Sequence, residues 1–325
     1  MVNKAAEVII DSCPTTTRRD QSLTKLSTAA KPECEPGESL SQADNSSACG
    51  PVDVLPGMPE LAPLRVVRSY GWLSRLRSYL ILDPLIWGYT IILGTTSLAC
   101  SFFDRSGRIQ HKLARAWSWL IMKTILSPVR VSGMDKIDTS KPHLYAVTHA
   151  SALDIPILYV HLPFQFRIIF KSELLSYPFI GWHLKRSGQV CINQQHPTTS
   201  VGAIKSALKS LRNGMPLVIF PEGGRTQDGQ LQPFLPGAFF LAIKAQADIV
   251  PVALVGTFDL LPMNTYHIKC QPLEMHVGEP IPTAGLSLRE MDAVSAKVRE
   301  AMTRLQSSGS RGEATGQHPR VGSVA

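Results

Sequence analysis

One histidine and one carboxylate, five positions apart, carry the most chemistry in this sequence. They sit in Thr148-His149-Ala150-Ser151-Ala152-Leu153-Asp154. The apolar run Leu144-Tyr145-Ala146-Val147 before them reads as a buried strand. Behind them, Ser151 with Asp154 three residues on has the capping-box layout of a helix start, and Ile155-Pro156-Ile157-Leu158 follows as an apolar first turn. His149 is thus expected in a strand-to-helix turn at the carboxyl end of a strand, where open α/β sheets bind ligands. Five positions at about 100° each would put the two side chains roughly 140° apart on one continuous helix. They can meet only if His149 lies outside the helix and folds back over its first turn. The carboxylate would then accept from one ring nitrogen, fix the tautomer and leave the other nitrogen as a base. Nine His in 325 residues, with the Asp content, give roughly a third of one chance match to this spacing per chain. The plain alternative is that Asp154 caps a helix and His149 is a polar turn residue.

A second constellation follows the apolar strand signal Pro216–Phe220. Pro221-Glu222-Gly223-Gly224-Arg225 puts an acid and a guanidinium on either side of two glycines, again at a strand's end. Backbone and guanidinium can approach an anionic ligand there, although a surface Glu–Arg pair would also explain the residues. A third segment runs Lys171-Ser172-Glu173-Leu174, then Pro178-Phe179-Ile180-Gly181-Trp182, then Gly188 to Asn193. By itself it reads as loop, short helix and strand. Ile249–Ala253 is a buried strand containing Pro251, a residue expected at an edge or bulge.

The elements that must position these residues have a consistent texture from about Pro128 onward. Strands are expected at 129–132, 144–148, 166–170, 190–192, 217–220, 249–254 and 274–277. Helical patterns lie between them, such as Val201, Ile204, Leu208 and Leu211 on one face, closed by Asn213-Gly214. The implied fold class is α/β, a mostly parallel sheet flanked by helices. A last helix opens with Ser287-x-x-Glu290, and the composition becomes tail-like after Gln306.

Upstream, residues 85–103 contain no charged side chain, near the ~20 residues needed to span a bilayer core. Arg105, Arg108, Lys112 and Arg115 then recur beside Ile109, Leu113, Ala116, Trp117, Leu120 and Ile121. This is the pattern of a basic amphipathic helix in a membrane interface, with an ordinary core-facing helix as its alternative. Residues 61–125 hold nine Lys/Arg against Asp83 and Asp104, within a chain of net charge +8. Basic residues flanking apolar segments favour an anionic membrane over nucleic acid. The six cysteines form no C-x-x-C, so neither a disulfide scaffold nor a metal site is expected. No signal-peptide pattern is found; Val8-Ile9-Ile10 is too short. The expected organisation is a disordered tail (1–62), N-terminal membrane-associated helices (63–127), a catalytic domain (128–306) and a second tail (307–325).

Together, in this order and spacing, the four segments resemble the glycerolipid acyltransferase family, specifically the 1-acylglycerol-3-phosphate acyltransferases, over roughly residues 70–280. The family pattern N-H-x-x-x-x-D is matched by His149 and Asp154, with Thr148 in place of Asn. F-P-E-G-T-R is matched by Phe220, Pro221, Glu222, Gly223 and Arg225, with Gly224 in place of Thr. The block containing K-x-E-L, P-x-x-G-W and a following Gly is matched by Lys171, Glu173, Leu174, Pro178, Gly181, Trp182 and Gly188. Its acidic–Arg ending is replaced by Asn193-Gln194. Val250-Pro251-Val252 matches the proline block.

The resemblance implies catalytic roles for His149 as base and Asp154 as its orienting partner. It implies acceptor binding by Lys171, Glu222, Gly223 and Arg225. The implied reaction moves a fatty acyl chain from an acyl thioester, carried by coenzyme A or acyl carrier protein, to a lysophospholipid hydroxyl at a membrane. The acceptor expected is lysophosphatidate, with the catalytic domain on the cytoplasmic face of the membrane and neither metal nor other cofactor. Gln194 leaves another lysolipid acceptor open. Two rivals lie outside this class. A serine hydrolase would need a nucleophile turn such as G-x-S-x-G, which the chain lacks. A non-catalytic membrane-surface protein would need neither His149 nor Asp154.

Overall fold

The computed structural model describes residues 71–104, 106–193, 201–263 and 265–314, with side chains to 308. The expected 1–62 tail, Arg105 and Gln194 lie outside the described residues. A continuous helix, α1 (Trp72–Cys100), runs 29 residues with a π-helical stretch at Ser78–Leu82. Helix α2 (Arg108–Ile125) follows. Seven strands come next, β1 (Val129–Ser132), β2 (Leu144–Val147), β3 (Arg167–Lys171), β4 (Val190–Ile192), β5 (Leu217–Ile219), β6 (Ile249–Val255) and β7 (Leu273–Val277). Between them lie α3 (Asp154–His161), α4 (Ile180–Arg186), α5 (Val201–Arg212) and α6 (Gly237–Ala245), and α7 (Met291–Ala314) closes the described chain.

The strands form one sheet in the order β1-β7-β6-β2-β5-β3-β4. All neighbours are parallel except β6 and β7, so the sheet is mostly parallel, as the strand–helix alternation implies. Period-two alternation divides its side chains between two cores. Tyr145, Val147, Val218, Val250 and Val252 face the layer containing Ile121, Ile125 and Ile157. Leu144, Ala146, Leu217, Ile219 and Ile249 face the layer of α5, α6 and α7.

Three details depart from the sequence reading. Pro251 is not on an edge: β6 lies between β2 and β7. β2 and β6 are bonded through Leu144 N–H to the Asp248 carbonyl and Thr148 N–H to the Val252 carbonyl. That register turns the imino nitrogen of Pro251 to the other side, where β7 has already ended and Gly278 N–H donates to the Pro251 carbonyl. No ladder bond is therefore lost to the ring.

The buried face of α2 is also rotated from the expected stripe. It carries His111, Ala114, Ser118, Ile121, Met122 and Ile125, while Ile109 and Ala116 are exposed. The cause is that α2 packs on α1 on one side and α3 on the other. Because Ile121 and Ile125 belong to the sheet's own core, position 127/128 is not a packing boundary. Last, α7 continues past Gln306 to Ala314 after a capping box at Ser287 and Glu290.

Candidate active site

The turn after β2 brings His149 and Asp154 together in the geometry their spacing requires. Asp154 is the first residue of α3, and His149, outside the helix, folds back so that Nδ1 lies 2.8 Å from Asp154 Oδ2. The same oxygen accepts the backbone N–H groups of Ala150 (2.8 Å) and Ser151 (2.9 Å). Asp154 is fully buried. The expected capping box is only half made. Asp154 accepts from Ser151 N–H, but the Ser151 hydroxyl oxygen accepts Leu153 N–H at 3.3 Å instead of Asp154 N–H, and the hydroxyl donates to the Leu261 carbonyl at 3.1 Å. That bond and its burial leave Ser151 no place as a nucleophile. Thr148, where the family pattern has Asn, accepts from Leu254 N–H at 2.9 Å and ties the end of β2 to β6.

The second turn, after β5, is laid against the first. Phe220 stacks on the His149 ring at 4.0 Å between centroids and 22° between planes. Glu222 Oε1 accepts the His149 backbone N–H at 2.8 Å, and Oε2 accepts Gln232 N–H at 2.9 Å. Thr226 N–H donates back to the His149 carbonyl at 2.9 Å. Burial pushes the Glu222 carboxyl up to about 7, although both backbone donors pull the other way. Glu222, expected to contact the acceptor, has Oε1 on the His149 turn and Oε2 on the Gln232 backbone. Gly223 takes φ of +70°, a conformation that suits glycine. Arg225 is 5% exposed and lines the same cavity as His149. Lys171 closes β3 at the same edge of the sheet but is not in that cavity's wall.

The cavity itself, about 190 Å³, is overwhelmingly apolar. It runs from His149 and Arg225 between Leu93 and Gly94 of α1, Trp117 of α2, Tyr159 of α3 and Leu184 of α4. Trp117 Nε1 donates to Thr90 Oγ1 at 2.9 Å and so fastens α2 to α1 across it. In the cavity wall, Phe179 adopts φ 65° and ψ −58°, closing a γ-turn in which Ile180 N–H donates to the Pro178 carbonyl at 2.7 Å. This conformation is strained for a side chain with a Cβ. Sequence reasoning placed neither Gln232 nor Phe179 in the site, and it read the α1 and α2 side chains as membrane-facing instead of cavity-lining. Phe220 was visible only as a motif position.

The Acyltransferase family matches residues 128–255. A Chlamydomonas reinhardtii protein named 1-acyl-sn-glycerol-3-phosphate acyltransferase is 30% identical over 241 residues, covering 73% of this chain and 69% of that protein. A chloroplastic enzyme of the same name from Brassica napus is 28% identical over 228 residues, 69% of this chain and 63% of the relative. The crystal structure of the 1-acyl-sn-glycerophosphate acyltransferase PlsC from Thermotoga maritima shares the fold. Its TM-score is 0.60 at 23% identity, over 76% of this chain and 97% of that one. Fold and motifs thus define an acyltransferase enzyme. The chain belongs to the glycerolipid acyltransferase family, and its resemblance to the 1-acylglycerol-3-phosphate acyltransferases holds.

Proposed function

We infer that this protein transfers a fatty acyl chain from an acyl thioester to the sn-2 hydroxyl of 1-acylglycerol-3-phosphate, forming phosphatidate in phospholipid biosynthesis. The observation that carries this reading is the His149–Asp154 pair opening onto an apolar cavity beside the buried Arg225. With Nδ1 held by Asp154, Nε2 is the nitrogen available to the acceptor hydroxyl. As the hydroxyl oxygen bonds to the thioester carbonyl carbon, its proton passes to Nε2. The C–S bond then breaks, and the departing thiolate recovers the proton from the imidazolium. The apolar cavity suits the acyl chain, and Arg225 offers a planar fork to the acceptor's phosphate. The donor carrier is coenzyme A or acyl carrier protein.

The geometry also favours a helix lying on the membrane over one crossing it. α1 is the one described helix long and apolar enough to cross, and only 17% of its most apolar stretch is buried. Yet it is fastened near both ends, through Ser74 Oγ to His267 Nε2 and Ser97 Oγ to His183 Nδ1, each at 2.7 Å. Those points are about 35 Å apart at 1.5 Å per residue, so a bilayer-spanning path would immerse the sheet as well. The free side presents Trp72, Leu73, Leu80, Ile81 and Ile92, with Arg75 and Arg77 also exposed. This is the arrangement of an interfacial anchor on an anionic surface.

The test is to offer purified protein a panel of lysolipids with a labelled acyl thioester. Labelled phosphatidate from lysophosphatidate in preference to other head groups is expected. Transfer to a different lysolipid would move the acceptor assignment, and no transfer to any would overturn the reading.

A further inference from the structure

Away from its catalytic end, the cavity wall contains few polar groups. Trp117 donates to Thr90 Oγ1, which donates to the Ile86 carbonyl at 2.7 Å, and the Tyr159 hydroxyl lies 3.5 Å from Gln189 Nε2. His183 on α4 is different. Its Nδ1 is 2.7 Å from Ser97 Oγ. Thr90, Thr95 and Thr96 on the same helix each donate to the carbonyl four residues back, whereas Ser97 makes no such bond. The Ser97 proton is therefore directed at His183 Nδ1, and a neutral ring accepting at Nδ1 carries its own proton on Nε2. Burial, the main cause, lowers the ring's pKa to about 4, which keeps it neutral at physiological pH. His183 lines the cavity, and its Nε2 has no hydrogen-bond partner among the described residues.

We propose that the Nε2–H of His183 is a specificity-determining donor within the acyl-chain cavity. It selects acyl chains that carry a hydrogen-bond acceptor, the π face of a cis double bond or a hydroxyl oxygen, over saturated chains of equal length. This rests on the reading that the cavity holds the donor's acyl chain. A saturated chain surrounds the N–H with methylenes and leaves it unpaired, whereas an acceptor at that depth satisfies it. A buried hydrogen bond made instead of left unmade corresponds to about 3- to 10-fold in kcat/KM, with a π acceptor at the lower end.

The experiment compares octadecanoyl, cis-9-octadecenoyl and hydroxyoctadecanoyl thioesters in vesicles with one lysolipid acceptor. Wild type should favour one or both acceptor-bearing chains, and the two arms distinguish the π from the oxygen acceptor. His183→Leu should bring the ratio to within about twofold of unity while leaving the lysolipid KM unchanged. In that variant Ser97 can bond the Leu93 carbonyl as its threonine neighbours do theirs. His183→Gln, which retains an N–H donor, should restore part of the preference. Ser97→Ala frees Nδ1 to take the proton and should weaken discrimination even if His183→Leu does not fold. Equal use of all three chains by wild type, or an unchanged ratio in His183→Leu or in Ser97→Ala, would overturn the proposal. Absence of transfer from every donor would overturn the cavity reading itself, and the proposal with it.

Discussion

The side chain of Glu222 accepts the backbone N–H of His149 across 73 residues of sequence, at 2.8 Å. With Thr226 N–H returning to the His149 carbonyl, the β5 turn grips the β2 turn from both sides of one residue. Glu222 thus acts by holding His149 in place. Glu222→Ala should lower kcat on the order of 10²-fold, the loss expected from small misplacement of a reacting group. Glu222→Gln keeps one acceptor oxygen and loses one of the two backbone bonds, so an intermediate kcat is expected. Both variants should leave the thioester KM within about twofold, which kinetics on vesicles would check.

The raised pKa of Glu222 has a consequence for stability against pH. Its folded value of about 7 exceeds the ordinary 4.5 of a glutamate, so the native state binds the proton more tightly than the unfolded chain. The associated stability is fully present below pH 4.5 and is lost as pH rises through 7. Unfolding of detergent-solubilised protein should show this decline, of order 1–3 kcal/mol. Glu222→Gln should flatten it. A wild-type profile rising across this window would contradict the assignment.

Removing the proposed base, His149, should be the severest single change. His149→Ala is expected to cost at least 10²–10⁴-fold in transfer while the protein stays folded and membrane-bound. Asp154→Asn should cost nearly as much, because it loses the carboxylate that orients the ring. It also places an amide where Oδ2 accepts three N–H groups, so its unfolding midpoint should fall as well. Near-normal activity in either variant would end the base mechanism.

Arg225→Lys retains the charge but not the two-pronged geometry. It should raise the lysolipid KM more than the thioester KM, with Arg225→Ala more severe. Unchanged constants for every lysolipid would make the Glu222–Arg225 turn purely structural.

Gly94 admits Phe179 to the helix surface: a Cβ on Gly94 would come within 2.8 Å of Phe179 Cβ. Gly94→Val should displace the Phe179 ring into the cavity and shift donor preference toward shorter chains. Rates on eight- to eighteen-carbon thioesters would show it as a change in profile, whereas a uniform loss would point to misfolding.

Deleting residues 1–125 should leave insoluble, inactive protein, since Ala114, Ile121, Met122 and Ile125 are buried in the sheet's core. Deleting residues 1–60 should spare activity, because among the described residues every cavity-lining side chain lies at or beyond Thr90. Sedimentation with vesicles and activity of both truncations would test this.

Much of the scaffold could be read from residues alone because buried strands announce themselves. β1 and β4 lie at the expected positions, and the other five differ by a residue at one or both ends. His149 and Asp154 were legible for a similar reason, since their spacing allows contact through only one local geometry. Pro251 misled because whether its nitrogen faces a partner depends on where β7 stops, a property of another strand. The face of α2 misled because two helices cover it, and periodicity records apolar positions without saying what lies opposite. The cavity left no local signal, since its wall gathers two or three residues each from α1, α2, α3 and α4. Gln194, where the family pattern has Arg, lies outside the described residues, so its bearing on acceptor choice rests with the kinetics.

With α1 in the proposed interfacial position, Leu93 and Gly94 make one wall common to the cavity beside His149 and the attachment surface. Lipid can then reach His149 sideways out of a leaflet without passing through bulk water. Reaction velocity should accordingly follow the mole fraction of lysolipid in the surface, and diluting that surface with inert lipid should slow turnover at constant bulk concentration.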